Sequence, residues 1–314
     1  MVSAAPHIIL MPNGYSAKYR WAGRETDHEA MNRFAFPPPS GSANGDLMRP
    51  FLLLGLWLVT ASPVLAGATP WQDVTPGVRL RLISSDVRNS DGKTLVGLQL
   101  DMPETFKTYW RVPGESGIPT VFDTAGSRGI GPATVAWPYP TPEVTQNLLD
   151  YVYHGPTVLP VTVEANSAAP LLKASVLMGV CSEVCVPVRA SFQLPLSFAG
   201  ADAPQSIRLR EAAALAPIAW PGMSPFSSLV YDAGRHALDL TVTDPAIDPA
   251  SIIASTADPT VIFDAPQKSP DGHSILLPLR RQDVGVGWTD QPIDLTFMTS
   301  MGAFVVSERV APEP

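Results

Sequence analysis

The chain has 314 residues, 45% of them hydrophobic and 16% charged, with a formal net charge of −8. That apolar content excludes wholesale disorder, and the length suggests about two domains. Thirty-four prolines exclude a protein built on long helices, the lack of any Lys/Arg cluster excludes an ordinary nucleic-acid binder, and two cysteines are too few for a disulfide scaffold or an all-Cys zinc site.

Near the start, residues 51–66 read FLLLGLWLVTASPVLA, a run without a charge. It is short for a membrane span, which needs about 20 residues. Arg49 precedes it, and Val64-Leu65-Ala66 ends it with small residues at the −3 and −1 positions of a cleavage site. This is the layout of a secretory signal peptide; an uncleaved N-terminal anchor is the alternative. Signal peptides begin at the initiator methionine, so the signal is expected at 48–66, starting at Met48, with Met31 a second candidate. Residues 1–47 hold Pro37-Pro38-Pro39 and no sustained period, and are expected to be a non-native extension. The mature chain then begins at Gly67. Five of the 21 basic and four of the 29 acidic residues precede it, which leaves 16 basic and 25 acidic side chains and a net charge of −9. An exported, acidic protein in an oxidising compartment follows. No second apolar run approaches ~20 residues, so no other span is expected.

From Val78 the pattern is strand-like. Val78 to Ile83 alternates with period two, and Leu95 to Leu100 does so again after the turn signal Asn89-Ser90-Asp91-Gly92. Thr134 to Trp137, Val158 to Val163, Leu172 to Val180 and Val186 to Leu196 are further strand candidates, separated by turn residues at spacings typical of a β-sandwich. No βαβ rhythm is present, which argues against a parallel sheet. Ala199 to Pro204 reads as a linker, and Ile207 to Ala216 is a helical pattern ended by Pro217. After Trp220-Pro221-Gly222 strands resume: Leu229 to Tyr231, Ala237 to Val242, Thr260 to Phe263, Ser274 to Leu279, Ile293 to Met298 and Ala303 to Ser307. The expected organisation is two β domains, 67–200 with the cysteine pair and 201–314, with a short helix near the junction.

Obvious chemistry is confined to Met178-Gly179-Val180-Cys181-Ser182-Glu183-Val184-Cys185-Val186-Pro187. In the strand before it, Leu172, Ala174, Val176, Met178 and Val180 share one face, and Cys181 falls on the other with Lys173, Ser175 and Gly179. In the strand after it, Val186, Val188, Ala190, Phe192, Leu194 and Leu196 share a face, and Cys185 falls opposite with Pro187, Arg189, Ser191 and Gln193. Both thiols are therefore expected off the core, facing each other across a hairpin with the loop Ser182-Glu183-Val184. Opposed residues in a non-hydrogen-bonded pair lie about 4.5 Å apart at Cα, the short end of the disulfide range. A disulfide is feasible, and strained or exposed disulfides are the reducible ones. A static staple is the rival reading, although so short a loop gives it little stabilising effect. Glu183 would raise a thiol pKa and Arg189 would lower it. The C-x-x-x-C spacing and the missing βαβ context argue against a thioredoxin site.

A resemblance enters with Thr108-Tyr109-Trp110-Arg111-Val112-Pro113-Gly114-Glu115-Ser116-Gly117-Ile118-Pro119 and Phe122-Asp123. This stretch resembles the periplasmic N-terminal region of DsbD/ScsB-like thiol:disulfide interchange proteins. Trp137-Pro138, Tyr153-His154-Gly155, Val158-Leu159-Pro160-Val161 and the segment Gly179 to Pro187 continue the likeness in the same order, over about residues 75–200. The resemblance implies an all-β chain of two immunoglobulin-like β-sandwich domains in tandem. It implies that Cys181 and Cys185 are a redox pair, acting as in a protein-disulfide reductase without a cofactor. Electrons would come from a membrane-embedded thiol transporter and pass to periplasmic thioredoxin-like or disulfide-isomerase-like proteins, in a setting such as cytochrome c biogenesis or copper tolerance. DsbD itself spaces its cysteines further apart, so the closer likeness is to the ScsB branch. Complete members continue into a multi-helix membrane domain and a thioredoxin-like domain, which this sequence lacks. The electron source is then expected to be a separate protein, or there is none and the module has another role.

Tyr109, Trp110, Phe122, Tyr151 and Tyr153 are either core or a cap that shields the disulfide, as family members do with a mobile loop. His154, His236 and His273 have no metal spacing, and His154 reads as a loop residue. Met178 with the two thiols, or Met298 and Met301, could offer soft ligands to Cu(I). The bland reading of these methionines as core and turn residues is preferred, and no metal is expected. A copper-binding or copper-tolerance protein and a structural β module with a static disulfide are the rival functions.

Overall fold

The computed structural model describes residues 67–198, 204–270, 274–281 and 287–311. The extension 1–47, the signal at 48–66, linker residues 199–203 and His273 lie outside the described residues.

The described residues are almost all β. In order, the first half contains β1 (Gln72–Thr75), β2 (Val78–Arg88), β3 (Lys93–Asp101), β4 (Lys107–Gly114), β5 (Val121–Asp123), β6 (Ile130–Val135), β7 (Thr141–Thr145), β8 (Leu148–His154), β9 (Thr157–Ala165), β10 (Leu171–Cys181) and β11 (Cys185–Pro195). They form two antiparallel sheets, ordered β1-β2-β3-β9-β6 and β11-β10-β4-β8-β7, with β5 pairing β10. The sheets enclose one apolar core. Leu80, Leu98 and Leu159 enter it from the first sheet, and Trp110, Leu172, Val176 and Phe192 from the second. This is an immunoglobulin-like sandwich.

Alternation explains which strands were legible. In β11, Val188, Ala190, Phe192 and Leu194 are buried while the residues between them are exposed. Val186 departs from this rule. It lies on the same face but is 36% exposed, because the hairpin end projects past the packed layer. By contrast β4 and β8, absent from the strand candidates, are buried on both faces over most of their length. Such central strands lose the period-two signature. His154 is the last residue of β8 rather than a loop residue. The expected strand at Thr134 to Trp137 lies earlier, at Ile130–Val135, since Pro138 and Pro140 follow.

One α-helix, α1 (Pro204–Ala214), is present among the described residues. It begins before the expected Ile207, with proline accommodated in the first turn where no donor is needed. It ends at Ala214, and Leu215 and Ala216 close the turn by donating to Ala212 and Ala213. Leu209 is fully buried against Ala68 and Ile83, which pins the helix to the outer side of the first sheet.

The second half forms another sandwich. One sheet runs Ile218–Ala219, Gly302–Arg309, Pro292–Thr299, Ile253–Ser255, and the other runs Phe226–Asp232, Ala237–Val242, Ile275–Arg281, Ile262–Phe263. Its core is aromatic: Phe226, Phe263, Trp288, Phe297 and Phe304 cluster with Leu238, Leu240 and Leu277. The two sandwiches touch directly. Ile253 joins the first core, Arg111 Nη2 donates to Ser255 Oγ at 2.8 Å and to Asp294 at 3.2 Å, and the Tyr139 hydroxyl donates to Ser251 O at 2.5 Å.

Replacing Phe192 by Ala should cost about 3–5 kcal/mol of unfolding free energy, as expected for a buried ring. Val186→Ala, on the same face but exposed, should cost less than about 1 kcal/mol. Urea denaturation of both variants checks this, and equal losses would contradict the described end of the packed layer.

Candidate functional site

The hairpin β10–β11 pairs without a register break from Leu171↔Pro195 to Cys181↔Cys185. Ser182, Glu183 and Val184 form the loop, and the Ser182 N–H donates to Val184 O at 3.4 Å. Cys181 and Cys185 are joined by a disulfide with their Cα atoms 4.0 Å apart. Both point away from the sandwich core, because Val180 and Val188 take the inward positions.

The two sulfurs have different surroundings. Cys185 is exposed, whereas Cys181 is only 1% exposed and clusters with Tyr109 and Val152. The small apolar patch on the outer face arises from strand order. β4 lies beside β10 and pairs Lys107 with Cys181, so Lys107 and Tyr109 share the outer face with the disulfide. On β8, Asp150, Val152 and His154 continue that face, and Glu143 of β7 follows.

Tyr109 carries the contact to the disulfide. Its ring is fully buried, and its hydroxyl lies 2.8 Å from Cys181 Sγ and 3.2 Å from Cys185 Sγ. Disulfide sulfurs have no proton, so the hydroxyl donates. Burial, reinforced by the negative charge of Asp150, raises its pKa, so it remains a donor at neutral pH. The ring is bordered by glycine backbone at Gly117 and Gly179. A Cβ on Gly179 would stand 3.0 Å from Tyr109 Cε2 and 2.8 Å from Ile118 Cβ, and one on Gly117 would stand 2.6 Å from Tyr109 Cδ1. Only glycine leaves room at these positions.

Beside the disulfide lies a charged group. Lys107 Nζ donates directly to Glu143 and stands 3.9 Å from Asp150 Oδ2, which is itself almost fully buried. His154 Nε2 pairs with Glu143 Oε2 at 2.8 Å. The hydrogen bond from Lys107 holds the Glu143 carboxyl below its ordinary pKa, with His154 adding to the effect against the opposing cost of burial. Asp150 also accepts from Ser116 N at 2.9 Å and from Ser116 Oγ at 2.5 Å.

Of the aromatic candidates, Tyr109 lies on the sulfurs. Trp110 faces the opposite way, into the sandwich core, with its ring edge-on to Tyr151 at 5.7 Å. Tyr153 is inward too; its hydroxyl donates to Pro138 O at 2.6 Å, and it lines a cleft of about 510 Å³ beside α1. Phe122 packs at the core edge from β5. Met178 is buried on the inner face, on the opposite side of β10 from Cys181, so a copper set of Met178 and the two thiols does not assemble. Met301 is 75% exposed. Lys107, Glu143, Asp150 and Ser116 were not singled out in the sequence. For Lys107 a signal existed: it stands two residues before Tyr109, hence on one face of a strand.

Residues 81–197 match the family described as thiol:disulfide interchange protein DsbD, N-terminal. The chain also resembles the crystal structure of the N-terminal periplasmic domain of ScsB from Proteus mirabilis. That likeness has a TM-score of 0.61 and 18% identity, and covers 78% of this chain and 99% of that one, so the two share a fold. No curated protein matches the chain. No helix among the described residues is long and apolar enough to cross a membrane.

Tyr109→Phe should leave the ring packing intact and remove the donor to the sulfurs. In the reduced protein the lower of the two thiol pKa values should rise by about one unit, the cost of a lost hydrogen bond to a charged acceptor. Titration of thiolate ultraviolet absorbance checks this, and an unchanged pKa would contradict the role given to the hydroxyl.

Proposed function

We propose that this chain carries out thiol–disulfide exchange with protein partners in the periplasm, with Cys181 and Cys185 cycling between disulfide and dithiol. The observation that carries the reading is the asymmetry of the pair, one sulfur exposed and the other buried under a tyrosine hydroxyl. The match of residues 81–197 to the DsbD N-terminal family supports it. The redox sandwich is proposed to span 67–200 and the second 201–314, after cleavage of a signal at 48–66.

The exposed sulfur is the one a protein thiolate can reach. A donor thiolate attacks Cys185 Sγ, the Cys181–Cys185 bond breaks, and its electron pair leaves on Cys181 Sγ. The Tyr109 hydroxyl already points at that sulfur, and its hydrogen bond favours negative charge there. The donor's second thiolate then releases Cys185, giving a dithiol here and a disulfide on the donor. In the second half, the Cys185 thiolate attacks the acceptor's disulfide. Cys181 resolves that mixed disulfide, so two electrons pass on and the bond is restored. A membrane-embedded thiol transporter fits as donor, and thioredoxin-like or disulfide-isomerase-like periplasmic proteins fit as acceptors.

Single-cysteine variants test this assignment. Cys181→Ala keeps the exposed thiol and should trap a mixed disulfide with a periplasmic partner, visible on non-reducing gels, while Cys185→Ala should trap little. Because the bond closes a very short loop, either change should cost less than the roughly 2–5 kcal/mol of a removed structural disulfide. Trapping by neither variant would defeat the exchange reading, and trapping by Cys185→Ala alone would reverse the roles.

A further inference from the structure

The segment after β4, residues 115–120, packs on the Tyr109 ring through Gly117, and its Ile118 lies against Gly179, which borders the same ring. What holds that segment comes partly from the other sandwich. Arg280, at the end of the strand Ile275–Arg281, donates through Nε to Glu115 Oε2 at 2.8 Å. Its Nη1 donates to Asp264 at 3.0 Å, and its Nη2 donates to Asn147 O. The Arg280 and Glu115 side chains are 16% and 15% exposed, so their pairing is shielded from water more than a surface ion pair is. Glu115 Oε2 also accepts from Leu149 N at 2.8 Å, and Glu115 N donates to Leu149 O at 2.9 Å. Ser116 is fixed to Asp150. At the far end of the segment, Thr120 Oγ1 is buried without a hydrogen-bond partner among the described residues. The segment is therefore anchored at its Glu115–Ser116 end, and one of those anchors belongs to the second sandwich.

We propose that Arg280 is a positioning residue for the redox pair, by which the second sandwich holds Glu115 and so seats Tyr109 on the disulfide sulfurs. The guanidinium fork suits this role: from three separate nitrogens held in one plane it binds a carboxylate of the segment, a carboxylate of its own sandwich and a backbone carbonyl beside β8, a spread that the single nitrogen of an ammonium does not reproduce. It gives the second sandwich, which carries no thiol of its own, a part in the chemistry of the first. This deepens the exchange reading, yet it is testable without any protein partner.

The test uses the mature two-sandwich protein, reduced, and reads the lower thiol pKa together with the rate at which dithiothreitol reduces the oxidised form. Other charged groups near the pair are Lys107, Glu143, Asp150 and His154 on the outer face, Glu183 in the hairpin loop and Arg189 on β11. They are unchanged in every variant and so provide a common background. Arg280→Gln should raise the pKa by about half a unit or more, a roughly three-fold change in the thiolate equilibrium, and slow reduction at neutral pH because the leaving thiolate is less stabilised. Arg280→Lys should fall between. In a Tyr109→Phe background Arg280→Gln should add nothing, since the effect runs through that hydroxyl. Glu115→Gln, which leaves Arg280 its bonds to Asp264 and Asn147, should mimic Arg280→Gln and serves if the latter folds poorly. Folded variants with wild-type pKa and rate, or an equal shift in the Tyr109→Phe background, would overturn the proposal. A normal Arg280 effect with no partner trapped by single-cysteine variants would uphold the positioning role and sink only the exchange reading.

Discussion

A single buried tyrosine hydroxyl organises the outer face of the first sandwich. Tyr109 has no place in the main core, because the inward positions of its strand are taken by residues such as Trp110. It is buried anyway, between the backbone of Gly179 below and Gly117 beside it, and its one polar atom faces the disulfide sulfurs and the Ser116 side chain. A buried hydroxyl without a partner is costly. Packing of the ring and position of the disulfide are thus two sides of one constraint. The glycines at 117 and 179, the hairpin register and the β4–β10 pairing all serve it.

That constraint makes the disulfide asymmetric. Two cysteines facing each other across adjacent strands are equivalent in topology, but the neighbouring strand exists on one side only. β10 is flanked by β4, whereas β11 is the edge. Cys181 therefore acquires Tyr109, Val152 and the nearby Lys107, and Cys185 acquires solvent. Sheet order alone separates a buried sulfur from an exposed one. The acidic residues of this face, Glu143 on β7 and Asp150 on β8, compensate the Lys107 ammonium, which would otherwise be a largely buried charge without a partner.

The hairpin was legible because one face of β11 meets water and the other the core, so the alternation survives in the sequence. Its loop, the mutual approach of the cysteines and their place off the core all follow from that period. The strand that completes the site was not legible as a strand. In Lys107–Gly114 both faces are buried, and a pattern such as Tyr109-Trp110 carries no information about which ring points where. Its importance was visible only through resemblance. The burial of Cys181 was equally hidden, because it depends on Tyr109 of β4 and Val152 of β8, two strands without a period-two signal. Arg280 lies some 165 positions from Glu115, and no local signal links them. The second sandwich was readable in outline from its alternating strands, and its aromatic core explains why single large residues, rather than long apolar runs, mark it.

The most direct measurement of the central claim is the reduction potential of the Cys181–Cys185 bond in the folded mature protein, equilibrated against glutathione or dithiothreitol buffers. The account predicts a potential above about −300 mV, in the range where exchange with other dithiol proteins is reversible, with the fold retained in the reduced form. A potential below about −300 mV, or unfolding on reduction, would mark the bond as a structural staple and contradict it.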